Sequence, residues 1–107
     1  MKLPAPVKQF FDADQAPRGP APVSAFAADA SVKDEGKIHV GRREIAQWWQ
    51  AAKARYQHTA EPQEVLDNEG RTIVRALVSG NFPGSPARLA FSFLLEDGRI
   101  SQLEIGA

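Results

Sequence analysis

Asp34, Tyr56, His58, Arg75 and Asn81 are the side chains whose types and positions could do chemistry in this chain. A histidine titrates near neutrality and serves as acid, base or hydrogen-bond donor. His58 closes a helical stretch, with Tyr56 two residues earlier framing the same edge. The alternative for His58 is a surface position that stabilises the last helical carbonyls. In the hairpin segment SVKDEG, strand alternation puts Val32 and Asp34 on one side and Lys33 and Glu35 on the other, so an inward Val32 carries Asp34 inward. Asp34 could equally do no more than shape the Asp-Glu-Gly turn. Arg75 interrupts the apolar run TIVRALVSGNF and needs a partner or a route to solvent. It would bind a carboxylate or enolate on one face of its strand, or pair with an acidic neighbour on the other. Asn81 shares its side and could donate to a ligand or shape the strand end. Trp48 and Trp49 are adjacent and cannot point the same way; one is expected to pack under the helix while the other covers a pocket or a subunit edge.

The remaining composition removes several classes of chemistry. There is no cysteine, hence no thiolate metal site, disulfide framework or thiol nucleophile. Two histidines, of which His39 is better placed to anchor the start of the following helix, make no zinc constellation with Asp34. The turn NFPGSP lacks the glycine spacing and the Lys-Ser/Thr of a phosphate loop, and nothing demands a nucleotide, haem or flavin, so no cofactor is expected. Thirteen basic residues balance thirteen acidic ones, so no global field draws in nucleic acid. No apolar run approaches the roughly 20 residues of a membrane span, and no apolar core follows Met1-Lys2. A cytoplasmic protein without membrane partners is the default expectation.

At 107 residues, 43% hydrophobic and 24% charged, the chain suits one domain spanning residues 1–107. Leu3, Val7, Phe10 and Phe11 recur at helical spacing within Pro4 to Asp14. QAPRGPAP, residues 15 to 22, reads as a linker, and a brief or irregular helix begins near Pro20 and carries Val23, Phe26 and Ala27. Ser31 to Asp34 and Lys37 to Val40 form a hairpin about Glu35-Gly36. A long helix from Arg42 to Tyr56 offers Ile45, Trp48, Trp49, Ala52 and Tyr56 to the core, with Lys53 among its solvent-facing residues. Four strands are then expected, near 64–67, 71–82, 88–95 and 99–105, joined by Asn68-Glu69-Gly70, Pro83 to Pro86 and Asp97-Gly98. The order predicts an α+β fold with its helices on one side of an antiparallel meander.

The run AFAADASVKDEGKIHVGRREIAQWW, Ala25 to Trp49, resembles the central signature of the nuclear-transport-factor-two-like superfamily, especially its SnoaL-like polyketide-cyclase and ketosteroid-isomerase branches. It combines an Ala-Phe-x-x-Asp-Ala helix exit, a strand carrying Asp34, a glycine-bounded hairpin, and Gly41-Arg42 opening a helix. FSFLLEDGRISQLEI, Phe91 to Ile105, is similar to the family's last hairpin, so the resemblance spans essentially the whole chain. It implies a cone-shaped fold, a strongly curved antiparallel sheet wrapped around the N-terminal helices and one long helix, with a pocket under the concave face. Relatives usually continue helically where this chain has Gln15 to Pro22, which implies a looser rim.

The resemblance also implies roles. Asp34 matches the carboxylate that moves a proton beside a carbonyl in the isomerase pattern, while the positions of that pattern's oxyanion donors fall on Phe10 and on Leu89 or Ala90, none with a side-chain donor. Donors would have to come from Tyr56, His58, Arg75 or Asn81. The expected function is binding of a small hydrophobic molecule, with Asp34 and His58 catalytic and Trp48, Trp49, Tyr56, Arg75 and Asn81 touching the ligand. The alternative is a noncatalytic ligand-binding or pairing module. A homodimer through the outer sheet face is expected, because both faces of the strand Arg88 to Leu95 carry apolar bulk.

Overall fold

The computed structural model describes residues 1–107. Helix α1 spans Ala5–Ala13, with proline in its first turn, where a missing backbone donor costs nothing. A single 3₁₀ turn, Val23–Ala25, leads into strand β1, Phe26–Asp34, which forms a hairpin with β2, Lys37–Val40. Helix α2 runs Gly41–Tyr56. Strands β3 (Thr59–Asn68), β4 (Arg71–Ser79), β5 (Ala87–Glu96) and β6 (Arg99–Gly106) complete the chain.

These strands form one six-stranded sheet in the order β2-β1-β6-β5-β4-β3. The meander β3 to β6 is antiparallel throughout, but β6 returns beside β1 and pairs with it in parallel. This corrects the expected strongly curved antiparallel cone: the sheet is mixed, it is neither strongly curled nor closed, and β2 and β3 remain its edges. The physical reason lies in the long-range pairing of β1 with β6, which no local turn signal encodes. The same pairing overrides the helical reading of the alanine-rich FAADA, which is strand from Phe26 onward with a bulge before Ser31. Strand β3 begins five residues earlier than its sequence signal. It carries Pro62 beside a bulge, which an edge strand tolerates because a missing donor there breaks no second ladder.

Both helices lie against one face of the sheet. Thr72, Val74, Ala76 and Val78 of β4 are buried there, in alternation with more exposed residues, and Phe91 and Phe93 face the same side from β5. Phe10 of α1 is the hub of the core, with ring centroids 5.5 Å from Trp49, 5.5 Å from Phe93 and 5.1 Å from Phe11 in edge-to-face geometry. Such pairs add about 0.5–1.5 kcal/mol each beyond area burial, which is how a nine-residue helix too short to persist alone is held. No helix is long and apolar enough to cross a membrane.

Candidate functional site

Helix α2 buries Ile45, Trp49 and Lys53, a stripe of residues four apart. Lys53 therefore belongs to the core side, against the expectation that placed it toward solvent, and only 3% of it is exposed. Its ammonium donates to the Asp14 carboxylate, to the His58 carbonyl at 2.7 Å and to the Asp14 carbonyl at 3.4 Å. All three of its protons have oxygen partners, and the Trp49 ring lies 5.0 Å away. Asp14 caps the C-terminus of α1 and is 1% exposed, and His58 Nε2 stands 3.4 Å from its carboxylate. One buried lysine thus ties the end of α1 to α2 and to the start of β3.

The turn after α2 is equally determined. Gln57 takes the left-handed conformation at φ 49° and donates to the Lys53 carbonyl at 2.8 Å, ending the helix and turning His58 back toward the core. Gly80, at the end of β4, fits beneath this turn: a Cβ there would lie 2.7 Å from the Tyr56 carbonyl oxygen and 3.0 Å from both Cα and Cβ of His58. Gly80→Ala should therefore push Tyr56 and His58 away from the sheet, costing about 1–3 kcal/mol of stability and weakening ligand binding. A denaturant titration paired with a binding titration checks both effects, and an alanine variant with unchanged midpoint would contradict this role.

Between the helices and the sheet lies a pocket of about 190 Å³. Asp34, Glu35, Trp48, Trp49, Ala52, Tyr56 and His58 line it from the hairpin and α2, Phe10 and Asp14 from α1, and Val78, Phe82, Leu89, Phe91 and Ile105 from the far strands and the β4–β5 loop. Asp34 follows buried Val32 by two residues, is half-buried, and accepts a hydrogen bond from Trp48 Nε1 at 3.0 Å. Burial pushes its carboxyl above the ordinary 3.8, and the neighbouring Glu35 adds to the rise; the Trp48 donor and His39 oppose it. Glu35 also faces the pocket, whereas strand alternation would turn it away. It occupies the turn at φ 52°, where alternation no longer applies, and accepts a hydrogen bond from the Tyr56 hydroxyl at 2.9 Å. That donation, together with lesser burial and charge effects, raises the Tyr56 pKa above its ordinary 10.0.

The two tryptophans divide their work. Trp49, 2% exposed, packs in the core and donates to the Gly19 carbonyl at 3.0 Å, pinning the proline-rich linker that the resemblance marks as loose. Trp48 is half-buried and holds Asp34; both rings contribute to the pocket wall. Arg75 and Asn81 stand outside the lining. Arg75 points from the opposite sheet face, is exposed, and pairs with Glu64 at 3.2 Å across the β3–β4 ladder. The Asn81 side chain is exposed and donates to Gln57 at 3.4 Å; its backbone N–H serves the site instead, donating to the Tyr56 carbonyl at 2.6 Å. Asp14 and Lys53 had not been singled out from sequence. The available signal was Lys53 falling four residues after Trp49 and eight after Ile45, inside the apolar stripe. No three His, Cys, Asp or Glu side chains converge as a metal ligand set.

The comparisons with known proteins agree with this architecture. The family model described as a SnoaL-like domain matches residues 7–103. The chain belongs to the SnoaL-like domain family. A crystal structure from Sinorhizobium meliloti, named for the polyketide cyclases, is 47% identical, covers 97% of this chain and 95% of its own, and superposes with a TM-score of 0.91. A Catenulispora acidiphila protein described as having a ketosteroid isomerase-like fold is 19% identical over 99% of this chain and 87% of its own, with a TM-score of 0.81. A Novosphingobium aromaticivorans protein described as having a cystatin fold is 21% identical over 100% of this chain and 99% of its own, with a TM-score of 0.77. The last two show the shared fold alone. No curated protein matches the chain.

Proposed function

We propose that this SnoaL-like protein binds a compact hydrophobic carbonyl or epoxide compound in the pocket and converts it by acid–base chemistry, as an isomerase, cyclase or hydrolase working without a cofactor. The observation that carries the reading is Asp34: a carboxylate in an apolar pocket, raised in pKa by burial and oriented by the Trp48 indole. A base with those properties takes a proton from carbon beside a carbonyl, and the oxygen that becomes negative then needs a donor. Phe10 and Leu89 line the pocket without offering one, which leaves His58 as acid or donor; Tyr56 could donate only by giving up the proton it now shares with Glu35. The 47% identical relative named for polyketide cyclases supports the same class. A volume of about 190 Å³ is below the roughly 300–1,000 Å³ of common small-molecule sites, favouring ligands of one or two rings over a four-ring skeleton.

The test is a panel of compact ketones, enones and epoxides, followed by tryptophan fluorescence for binding and by NMR for product. Saturable quenching with turnover of at least one compound is expected. Binding without any turnover favours a noncatalytic ligand carrier, and absence of saturable binding across the panel overturns the pocket reading.

The same proposal includes a cytoplasmic homodimer through the sheet face opposite the helices. Ile73 and Leu77 of β4 lie there with Ala90 and Leu94 of β5, all only partly exposed and ringed by Arg71, Arg75 and Ser92. Light scattering at micromolar concentration should report a dimer, and Ile73→Glu should convert it to monomer by placing a charge in the apolar part of that face. A wild-type monomer would remove this part of the proposal.

A further inference from the structure

The pocket wall is unusual in its pairing of aromatic rings with acids. Six of its fourteen lining residues are aromatic and three are carboxylates, while none is lysine or arginine. The carboxylate of Asp14 is engaged by Lys53, but neither Asp34 nor Glu35 forms a salt bridge; Trp48 donates to one and Tyr56 to the other, and the only cationic influence on Asp34 is the nearby His39. We infer that the pocket selects compact hydrophobic ligands carrying a tertiary or quaternary ammonium group, seated among the aromatic rings beside Asp34. This rests on the pocket reading above and names the ligand class for that site.

Three physical terms point the same way. Aromatic faces attract cations through the ring quadrupole, and more so when water is excluded. The wall already does this once, since the Lys53 ammonium lies 5.0 Å from the Trp49 ring centroid. A half-buried carboxylate without a counter-ion carries a desolvation cost that a ligand cation removes, whereas an anionic ligand would add like charge to Asp34 and Glu35 with no lysine or arginine to offset it and only His58 as a basic group, itself beside the Asp14 carboxylate. A neutral ligand gains the apolar contacts and leaves the carboxylate uncompensated. The cation would also favour the ionised form of Asp34, the form that a general base requires, so binding and ionisation reinforce each other. The titratable groups facing Asp34 are Glu35 and His39, together with Tyr56, whose pKa the Glu35 hydrogen bond raises most and the Asp34 charge helps to raise.

The experiment compares choline with its neutral isostere 3,3-dimethylbutan-1-ol, by calorimetry and by Trp48 and Trp49 fluorescence at pH 7.5. Choline should bind at least about tenfold more tightly, the ratio should shrink several-fold in Asp34→Asn, and it should shrink again as the pH is lowered through the Asp34 range. Equal or tighter binding of the neutral alcohol overturns the ammonium selectivity while leaving the pocket reading intact. A preference for choline that survives unchanged in Asp34→Asn overturns the assignment to this site. If neither compound saturates the protein, the ammonium selectivity falls, while the pocket reading is decided separately by the panel of ketones, enones and epoxides.

Discussion

Lys53→Met is expected to destabilise the fold by about 3–5 kcal/mol, a large share of the total stability of a small domain. The methionine fills the same channel with apolar atoms, so little packing is lost. What is lost is the ammonium that satisfies the buried Asp14 carboxylate and the carbonyls of Asp14 and His58. Only His58 Nε2, at 3.4 Å, remains near the stranded charge. The origin of the cost can be separated from packing by the double variant Lys53→Met, Asp14→Asn, which removes both charges and should recover much of the stability. Urea titrations of the wild type and the two variants measure this directly. A single variant as stable as the wild type, or a double variant no better than the single, would show that the ion pair is not what joins α1 to α2.

Much of the architecture was readable because its signals are local. The hairpin corners Glu35-Gly36, Glu69-Gly70 and Asp97-Gly98 all place two successive residues at positive φ, the geometry for which a glycine in the second position is selected. Helix α2 declared itself through its apolar spacing, and strand alternation put Asp34 on the side of Val32. The features that escaped depend on partners remote in the chain. FAADA becomes strand because β6 lies beside it, the sheet is mixed for the same reason, and Lys53 is buried because Asp14 awaits it from another helix. Arg75 shows the limit of alternation: the period groups it with Ile73 and Leu77, and only packing decides that this group faces away from the helices. Glu35 shows the limit from the other side, since one residue in a left-handed turn is enough to bring it to the pocket.

Asp34→Asn should abolish most turnover of any compound the protein processes, by about 10²- to 10⁴-fold, the usual contribution of a positioned general base, while leaving the fold at least as stable as the wild type. The amide has nearly the same shape, and its oxygen can still accept from Trp48 Nε1, so the hairpin and the indole stay in place. It cannot take a proton from carbon. The stability half of the prediction follows from linkage. Because burial raises the folded-state pKa above 3.8, the native protein holds this proton more tightly than the unfolded chain does. The contribution of Asp34 to stability is therefore greatest below 3.8, falls as pH rises through the window between 3.8 and the raised value, and stays at its minimum at neutral pH. Asparagine removes that loss, so the variant should unfold at equal or higher denaturant concentration at pH 7, and its stability should lack this component of the pH dependence. A turn-forming aspartate behaves differently, since asparagine makes the same local backbone contacts and neither turnover nor its pH profile would change. Initial rates and urea midpoints for both proteins across pH 3.5 to 8 decide between these roles, and equal rates on a processed substrate would remove Asp34 from the chemistry.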